Sequence, residues 1–116
     1  MHTTILKAIV KNKSKSIKLG NFKYSVYKDI KAVFYYSCLL CIYDGKTVFI
    51  NKGALTYNNL VQKHIKQLKA YLFLYSMQYV EVETAECIEM LTLAQSNTEK
   101  KGDKHGNENS KSRFTN

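Results

Sequence analysis

The chain contains no proline and no tryptophan, and only five of its 116 residues are glycine. Because proline is a strong local signal for the end of a helix or strand, element boundaries must be inferred from glycine, asparagine and threonine. The longest apolar runs, residues 33–43 and 70–77, are far shorter than the roughly 20 residues of a membrane-spanning helix. No membrane insertion is predicted, and without a recognisable signal peptide we expect a cytoplasmic protein.

Residues that carry catalysis or bind metals are few and scattered. An odd cysteine count, with Cys38, Cys41 and Cys87, fits reduced thiols better than a disulfide framework. Cys38 and Cys41 form a C-x-x-C pair, but residues three apart on a strand point to opposite faces and should not share a metal. His64 has no carboxylate pair or nucleophile near it in sequence, which favours a structural or surface role. We expect no catalytic residue, no cofactor and no metal, and hence no enzyme.

The chain does contain enough apolar sequence for one modest core. Apolar residues make up 45% of it, which is typical of globular proteins. We predict a single α+β domain over residues 1–94. Residues 95–116 change to Ser, Thr, Asn, Gly, Lys and Glu, and are predicted to form a disordered polar tail.

A central β-hairpin followed by a helix organises the predicted domain. Residues 33–43 read as one long strand, the Asp-Gly pair at 44–45 suits a two-residue type I′ turn, and a second strand covers 46–51. An amphipathic helix is predicted from Asn59 to residue 75, with Asn59 or Thr56 as its N-cap.

The other segments are assigned from shorter patterns. Residues 3–10, 22–27 and 77–83 are predicted strands. Thr84 offers an N-cap for a short helix over 85–94, whose apolar stripe comprises Cys87, Ile88, Leu91 and Ala94. The predicted fold is a small antiparallel sheet of three to five strands, with one amphipathic helix packed on one face and a short C-terminal helix.

Charge is distributed unevenly along the chain. The net charge is +9, but residues 1–69 carry 13 lysines against two aspartates, a balance of +11, while residues 70–94 contain four glutamates and no base. Such a basic region indicates a polyanion, most often nucleic acid or a nucleoprotein, with an anionic membrane surface second and a merely solubilising surface as the alternative. The candidate nucleic-acid-binding residues are Lys11, Lys13 and Lys15 in a polar loop and Lys63, Lys66 and Lys69 on the helix.

A group of short motifs lies between residues 36 and 68. Tyr-Ser and an apolar strand occupy 36–40, an Asp-Gly turn and Val-Phe-Ile-Asn follow, and Thr56 precedes a Lys-His-Ile at 63–65. In these motifs the chain resembles a family of small domains of unknown function carried by bacteriophages and plasmids. The resemblance implies an accessory protein of a mobile element, working in the bacterial host cytoplasm, and it supplies no reaction.

Two functions follow from these observations. The first is a non-enzymatic accessory protein that binds nucleic acid or a nucleoprotein complex through a basic surface. The alternative is a protein–protein inhibitor of host defence or transcription machinery, anti-CRISPR-like, with a host protein as partner and tyrosines carrying the affinity. This alternative predicts that several of the following tyrosines are exposed together as one patch: Tyr27, Tyr35, Tyr43, Tyr57, Tyr71 and Tyr75. The partner's identity and the oligomeric state stay open.

Overall fold

The computed structural model describes the backbone of residues 1–103 and the side chains of residues 1–96. The elements in chain order are α1 (Thr3–Val10), β1 (Ile17–Leu19), β2 (Phe22–Tyr27), β3 (Ile30–Tyr35), β4 (Cys38–Tyr43), β5 (Thr47–Asn51), a short 3-10 helix (Lys52–Thr56), α2 (Asn59–Leu74), β6 (Gln78–Val82) and α3 (Thr84–Asp103). The α3 backbone runs past residue 94, where the predicted helix ends. The rest of the predicted tail, residues 104–116, lies outside the described residues.

The strands of the described chain form one six-stranded mixed sheet. Its order is β1-β2-β3-β4-β5-β6, and every neighbouring pair is antiparallel except β5 and β6, which are parallel. The α2 helix supplies the crossover that a parallel pair requires. The α+β class is confirmed, whereas the sheet differs from the predicted antiparallel one in strand number and in this parallel pair.

Residues 3–10 form a helix, so the predicted strand is wrong. The buried positions of α1 are Ile5, Leu6, Ala8 and Ile9, whose spacing is that of one helix face. The Thr, Ile and Val content had favoured a strand, but β-branched residues fit many half-buried surfaces and strand propensity depends on context. Asn12, at φ 49°, then ends the helix with a Schellman motif, in which the N–H of Lys13 bonds to the carbonyl of Ala8 at 3.0 Å.

The predicted long strand at 33–43 is in fact two strands. β3 and β4 are joined by a tight turn at Tyr36 and Ser37, and Tyr36 has φ 54°. The turn contains no glycine, proline or asparagine, and Ser37 is its one residue of a type that favours turns. A strand pair therefore stands where one central strand was expected.

A β-bulge in β4 changes which side chains face the core. The register shifts after the Val33–Cys41 pair and leaves Leu40 without a partner in the ladder. Leu40 and Cys41 consequently both enter the same core, and Cys38 packs against that core too. The expectation that the two cysteines of the C-x-x-C pair lie on opposite faces is wrong for this reason.

Helices cover both faces of the sheet. α1 and α2 share the larger core with residues such as Tyr24 and Val33, and α3 covers a smaller core around Ile42 and Cys87. Of the predicted α3 stripe, Ile88 is exposed instead. No helix of the described residues is long and apolar enough to cross a membrane.

The turn before β5 and the cap of α2 each differ from the prediction by one residue. The central turn residues are Gly45 and Lys46, and only Gly45 has a positive φ, whereas a type I′ turn requires a positive φ at both central residues. The carboxylate of Asp44 accepts the N–H of Lys46 at 2.8 Å. Asn58, not Asn59, caps α2 by accepting the N–H of the third helical residue at 2.8 Å.

Candidate nucleic-acid interface

The outer surface of α1 and α2 is basic. The two helices lie on the same sheet face and contact each other, and neither contains an aspartate or glutamate. Burial of the apolar stripe of α2 turns Lys63 and Lys66 to solvent, and Lys7 is exposed on α1. We call the surface that carries Lys7, Lys63 and Lys66 the basic face.

The third lysine of the predicted helical row is engaged elsewhere. Lys69 is half-buried and forms an ion pair with Glu81 of β6. Because a carboxylate already balances its charge, Lys69 offers less to a polyanion than Lys63 and Lys66 do. Lys52 is likewise paired with Glu83, at 3.1 Å.

The loop with Lys11, Lys13 and Lys15 has an anchored backbone and exposed side chains. The hydroxyl of Tyr24 donates to the carbonyl of Lys13 at 2.8 Å, and the hydroxyl of Ser16 accepts the N–H of Val26 at 3.0 Å. The side chain of Asn12, which lies between Lys11 and Lys13, is close to Gly45. The loop therefore sits beside the β4–β5 turn, at the opposite end of the sheet from the start of α2.

Aromatic rings collect at the end of the sheet where α2 begins. Phe22, Tyr35 and His64 contact one another in pairs, with ring centroids 4.7 to 4.9 Å apart. Tyr36 stands next to this cluster, edge-on to Tyr35 at 4.8 Å, and is 65% exposed.

His64 packs as a neutral ring inside this cluster. It is 9% exposed, and no described residue hydrogen-bonds its Nδ1. Burial lowers the pKa of His64, and the neighbouring amino group of Met1 acts in the same direction. A neutral, enclosed imidazole of this kind contributes packing rather than charge at pH 7.

Two clefts flank Tyr36. One, of about 210 Å³, is lined by Phe22 and by two exposed lysines, Lys18 and Lys23. The other, of about 360 Å³, lies between the β3–β4 turn and the start of α2, with Tyr57 and Leu60 in its wall. Both clefts include Tyr36, and none of the described residues lining them is acidic.

The tyrosines do not form a single patch. Tyr57 is exposed beside Tyr36, Tyr43 is buried, and Tyr27 and Tyr35 are half-buried. At the other end of α2 the rings of Tyr71 and Tyr75 are 4.9 Å apart. A helix of 16 residues separates the two groups by roughly 24 Å.

Two of the three cysteines, Cys41 and Cys87, are buried. Burial raises the pKa of Cys41 to about 12 and that of Cys87 to about 11, so both thiols are protonated at neutral pH. Among residues whose side chains are described, no group of three or more His, Cys, Asp or Glu is placed to hold a metal ion.

Comparison with protein-family models, curated proteins and solved structures finds no match to this chain. The sequence prediction included Lys63 and Lys66 of the basic face but missed Lys7, and it also missed Tyr36, Lys18 and Lys23. The available signal was Ser37, the one polar residue inside the apolar run at 33–43, which marks the turn that exposes Tyr36.

Proposed function

We propose that this protein is a non-enzymatic nucleic-acid-binding protein, acting on nucleic acid alone or within a nucleoprotein complex through the basic face. The observation that carries the proposal is a layer of two helices without any acidic residue, whose lysines Lys7, Lys63 and Lys66 are exposed on one side of the sheet. An accessory role for a phage or plasmid belongs to the same proposal and rests on the resemblance over residues 36–68.

The positions of the acidic residues support this choice of surface. Glu81 and Glu83 are each paired with a lysine, and Glu86 and Glu89 are exposed on α3, across the sheet from the basic face. A phosphate backbone approaching the basic face therefore meets unpaired ammonium groups. Such groups gain affinity by releasing condensed counterions and need no exact geometry.

Anisotropy titration of labelled DNA and RNA at several salt concentrations tests the proposal. We expect binding whose affinity falls between about 50 and 200 mM salt, with a log–log slope near −0.9 per duplex phosphate neutralised. Absence of binding to any DNA or RNA at the lowest salt would refute it.

A matched pair of double variants locates the interface. Lys63→Ala with Lys66→Ala removes two unpaired charges, and we expect weaker binding and a salt slope reduced by about 2, roughly 1 for each lysine. Lys52→Ala with Lys69→Ala removes the same total charge from lysines that are already ion-paired, and should change binding little. Equal losses in the two variants would mean that net charge, not the basic face, drives binding.

The second candidate function is a protein–protein inhibitor of host defence or transcription machinery. It is favoured by Phe73 and Leu74, which are 81% and 73% exposed beside the Tyr71–Tyr75 pair. Affinity purification from the bacterial host, with and without nuclease, distinguishes the two candidates. A host protein retained after nuclease treatment supports inhibition, whereas a partner lost with the nucleic acid supports the first proposal.

A further inference from the structure

We propose that the ridge formed by Tyr36 between its two clefts is a base-stacking site for single-stranded nucleic acid. This inference rests on the proposed function and deepens it, since it assigns the strandedness of the ligand and the residue that receives a base. The basic face would then hold the phosphates of the same strand.

Tyr36 is held in a costly conformation at an exposed place. Its φ of 54° lies in the left-handed region, which a bulky side chain rarely adopts and which glycine or asparagine normally fills. The N–H of Tyr36 donates to the carbonyl of Asn21 at 2.7 Å, and the ring of Tyr35 supports its ring edge-on. A strained backbone that presents a large exposed ring points to a role outside the core.

The surroundings of the ring match a base and its phosphates. The larger cleft, of about 360 Å³, falls within the size range of small-molecule sites, and Tyr57 offers a second exposed ring in it. Lys18 and Lys23 line the smaller cleft on the other side of Tyr36. The ammonium of Lys23 lies 5.4 Å from the centre of the Phe34 ring. The cleft beside a base stacked on Tyr36 therefore carries two lysines and, among the described residues that line it, no acidic one.

The ridge also continues into the basic face. Leu60 lines the larger cleft, and Lys63 lies three residues further along α2, so the two side chains are neighbours on the helix surface. Lys66 follows at the same interval. A strand leaving Tyr36 along α2 would thus meet Lys63 and then Lys66.

Stacking selects single strands because a paired base has no free face. Aromatic side chains bind bases that are splayed out, and this contact tolerates any base because each one has a π-face. A duplex could use the lysines but not the ring. Dependence on Tyr36 should therefore be confined to single strands.

The test compares Tyr36→Asn with Tyr36→Phe in the full chain. Asparagine tolerates the positive φ of this turn and removes the ring, whereas phenylalanine keeps the ring and removes only the hydroxyl. Circular dichroism and thermal melting confirm that both variants fold, and Tyr36→Gly serves as a second ring-free variant. The probes are labelled oligothymidylate and oligouridylate of about 20 nucleotides, longer than the roughly 4–16 nucleotides such sites cover, and a duplex of equal length.

We expect Tyr36→Asn to weaken single-strand binding roughly 5- to 150-fold, the range that loss of one stacked base implies. Duplex affinity and the salt slope should stay unchanged, and Tyr36→Phe should bind like the wild type. Photocrosslinking of an oligonucleotide containing 5-iodouracil should modify the peptide that contains Tyr36.

These measurements distinguish failure of the stacking site from failure of the proposed function. If the wild type binds no nucleic acid at low salt, the proposed function and this inference both fall. If it binds but Tyr36→Asn affects single strand and duplex alike, or neither, the stacking site is refuted while the basic face stands. Crosslinks confined to other peptides would also refute the stacking site.

Discussion

Asn51 joins three parts of the fold through one buried side chain. Its Nδ2 donates to the carbonyl of Leu39 at 2.9 Å, while its Oδ1 accepts the N–H of Gly53 at 3.0 Å and the hydroxyl of Thr84 at 2.6 Å. The side chain thereby ties β4, the 3-10 helix and the start of α3 together. Each of these bonds replaces one to water, so the stabilisation comes mainly from avoiding unpaired buried groups.

Replacement of Asn51 by alanine should lower the free energy of unfolding by about 2–4 kcal/mol, because it leaves the Leu39 carbonyl and the Gly53 N–H without their partner. Thr84→Ala is the matched control, since it removes only one of the three bonds and should cost about 1 kcal/mol. Urea denaturation measures both values. A loss for Asn51→Ala no larger than that for Thr84→Ala would contradict this role.

Tyr24 links the end of α1 to the sheet and makes stability depend on alkaline pH. Burial raises the pKa of Tyr24 to about 12, against about 10 in the unfolded chain. The stabilisation from the neutral hydroxyl is therefore complete below pH 10 and is lost as the pH rises through 12. Ionisation of this one group can contribute up to about 1.4 kcal/mol per pH unit to that loss.

Tyr24→Phe should cost about 1 kcal/mol at neutral pH, because the Lys13 carbonyl loses its hydrogen bond. Between pH 10 and 12 the variant should lose stability less steeply than the wild type. Denaturant unfolding at a series of pH values measures the slope. Identical slopes would show that Tyr24 does not titrate in this range.

At the scale of elements, the end of α1 shows how a single residue sets a helix boundary. Asn12 occupies the left-handed position of the Schellman motif, at φ 49°. Alanine there should lower the free energy of unfolding by about 1–2 kcal/mol, since its Cβ clashes in this conformation, whereas glycine should be neutral or slightly stabilising. Thermal and urea unfolding compare the two variants. Alanine as stable as glycine would contradict this explanation.

Elements with a strong local period were predictable to within about a residue. The predicted strand at 22–27 matches β2. The predicted helix from Asn59 and the predicted strand at 77–83 differ from α2 and β6 by no more than one residue at each end. The prediction for α1 failed because the strand preference of Thr, Ile and Val was given more weight than the helical spacing of its buried positions. The β3–β4 turn was not predicted because Tyr36 adopts a backbone conformation that its residue type disfavours.

Features that depend on long-range pairing were not readable from local patterns. The parallel direction of β6 follows from the α2 crossover, and the bulge at Leu40 follows from the register of β3 against β4. In the candidate site, the exposure of Lys63 and Lys66 followed from helical periodicity. The pairing of Lys69 did not, because its partner Glu81 lies on a different element.

Across the whole molecule, positive charge is concentrated on the α1–α2 layer, although the ammonium of Lys23 lies over the Phe34 ring on the α3 side of the sheet. The α1–α2 layer carries lysines only, while Glu86 and Glu89 lie on α3 on the opposite side. Unpaired lysines repel one another and destabilise the compact state, as uncompensated charge generally does. Binding of a polyanion would relieve this repulsion, and that relief would contribute to the free energy of binding.

Salt should therefore stabilise this protein in the absence of any nucleic acid. Moderate NaCl screens the repulsion within the basic face, while it weakens exposed ion pairs such as Lys52–Glu83 that contribute only about 0–1 kcal/mol. We expect the melting temperature to rise between about 10 and 150 mM NaCl, a range over which the Debye length falls from about 30 to 8 Å. Differential scanning calorimetry measures it.

The same double variants separate the two electrostatic contributions. Lys63→Ala with Lys66→Ala removes repulsion, so its melting temperature should respond less to salt than that of the wild type. Lys52→Ala with Lys69→Ala removes attraction and leaves two carboxylates unpaired, so it should keep the full salt response from a lower starting temperature. A wild-type melting temperature that falls with added NaCl would mean that attraction outweighs repulsion, and the basic face would then be balanced by charges elsewhere in the fold.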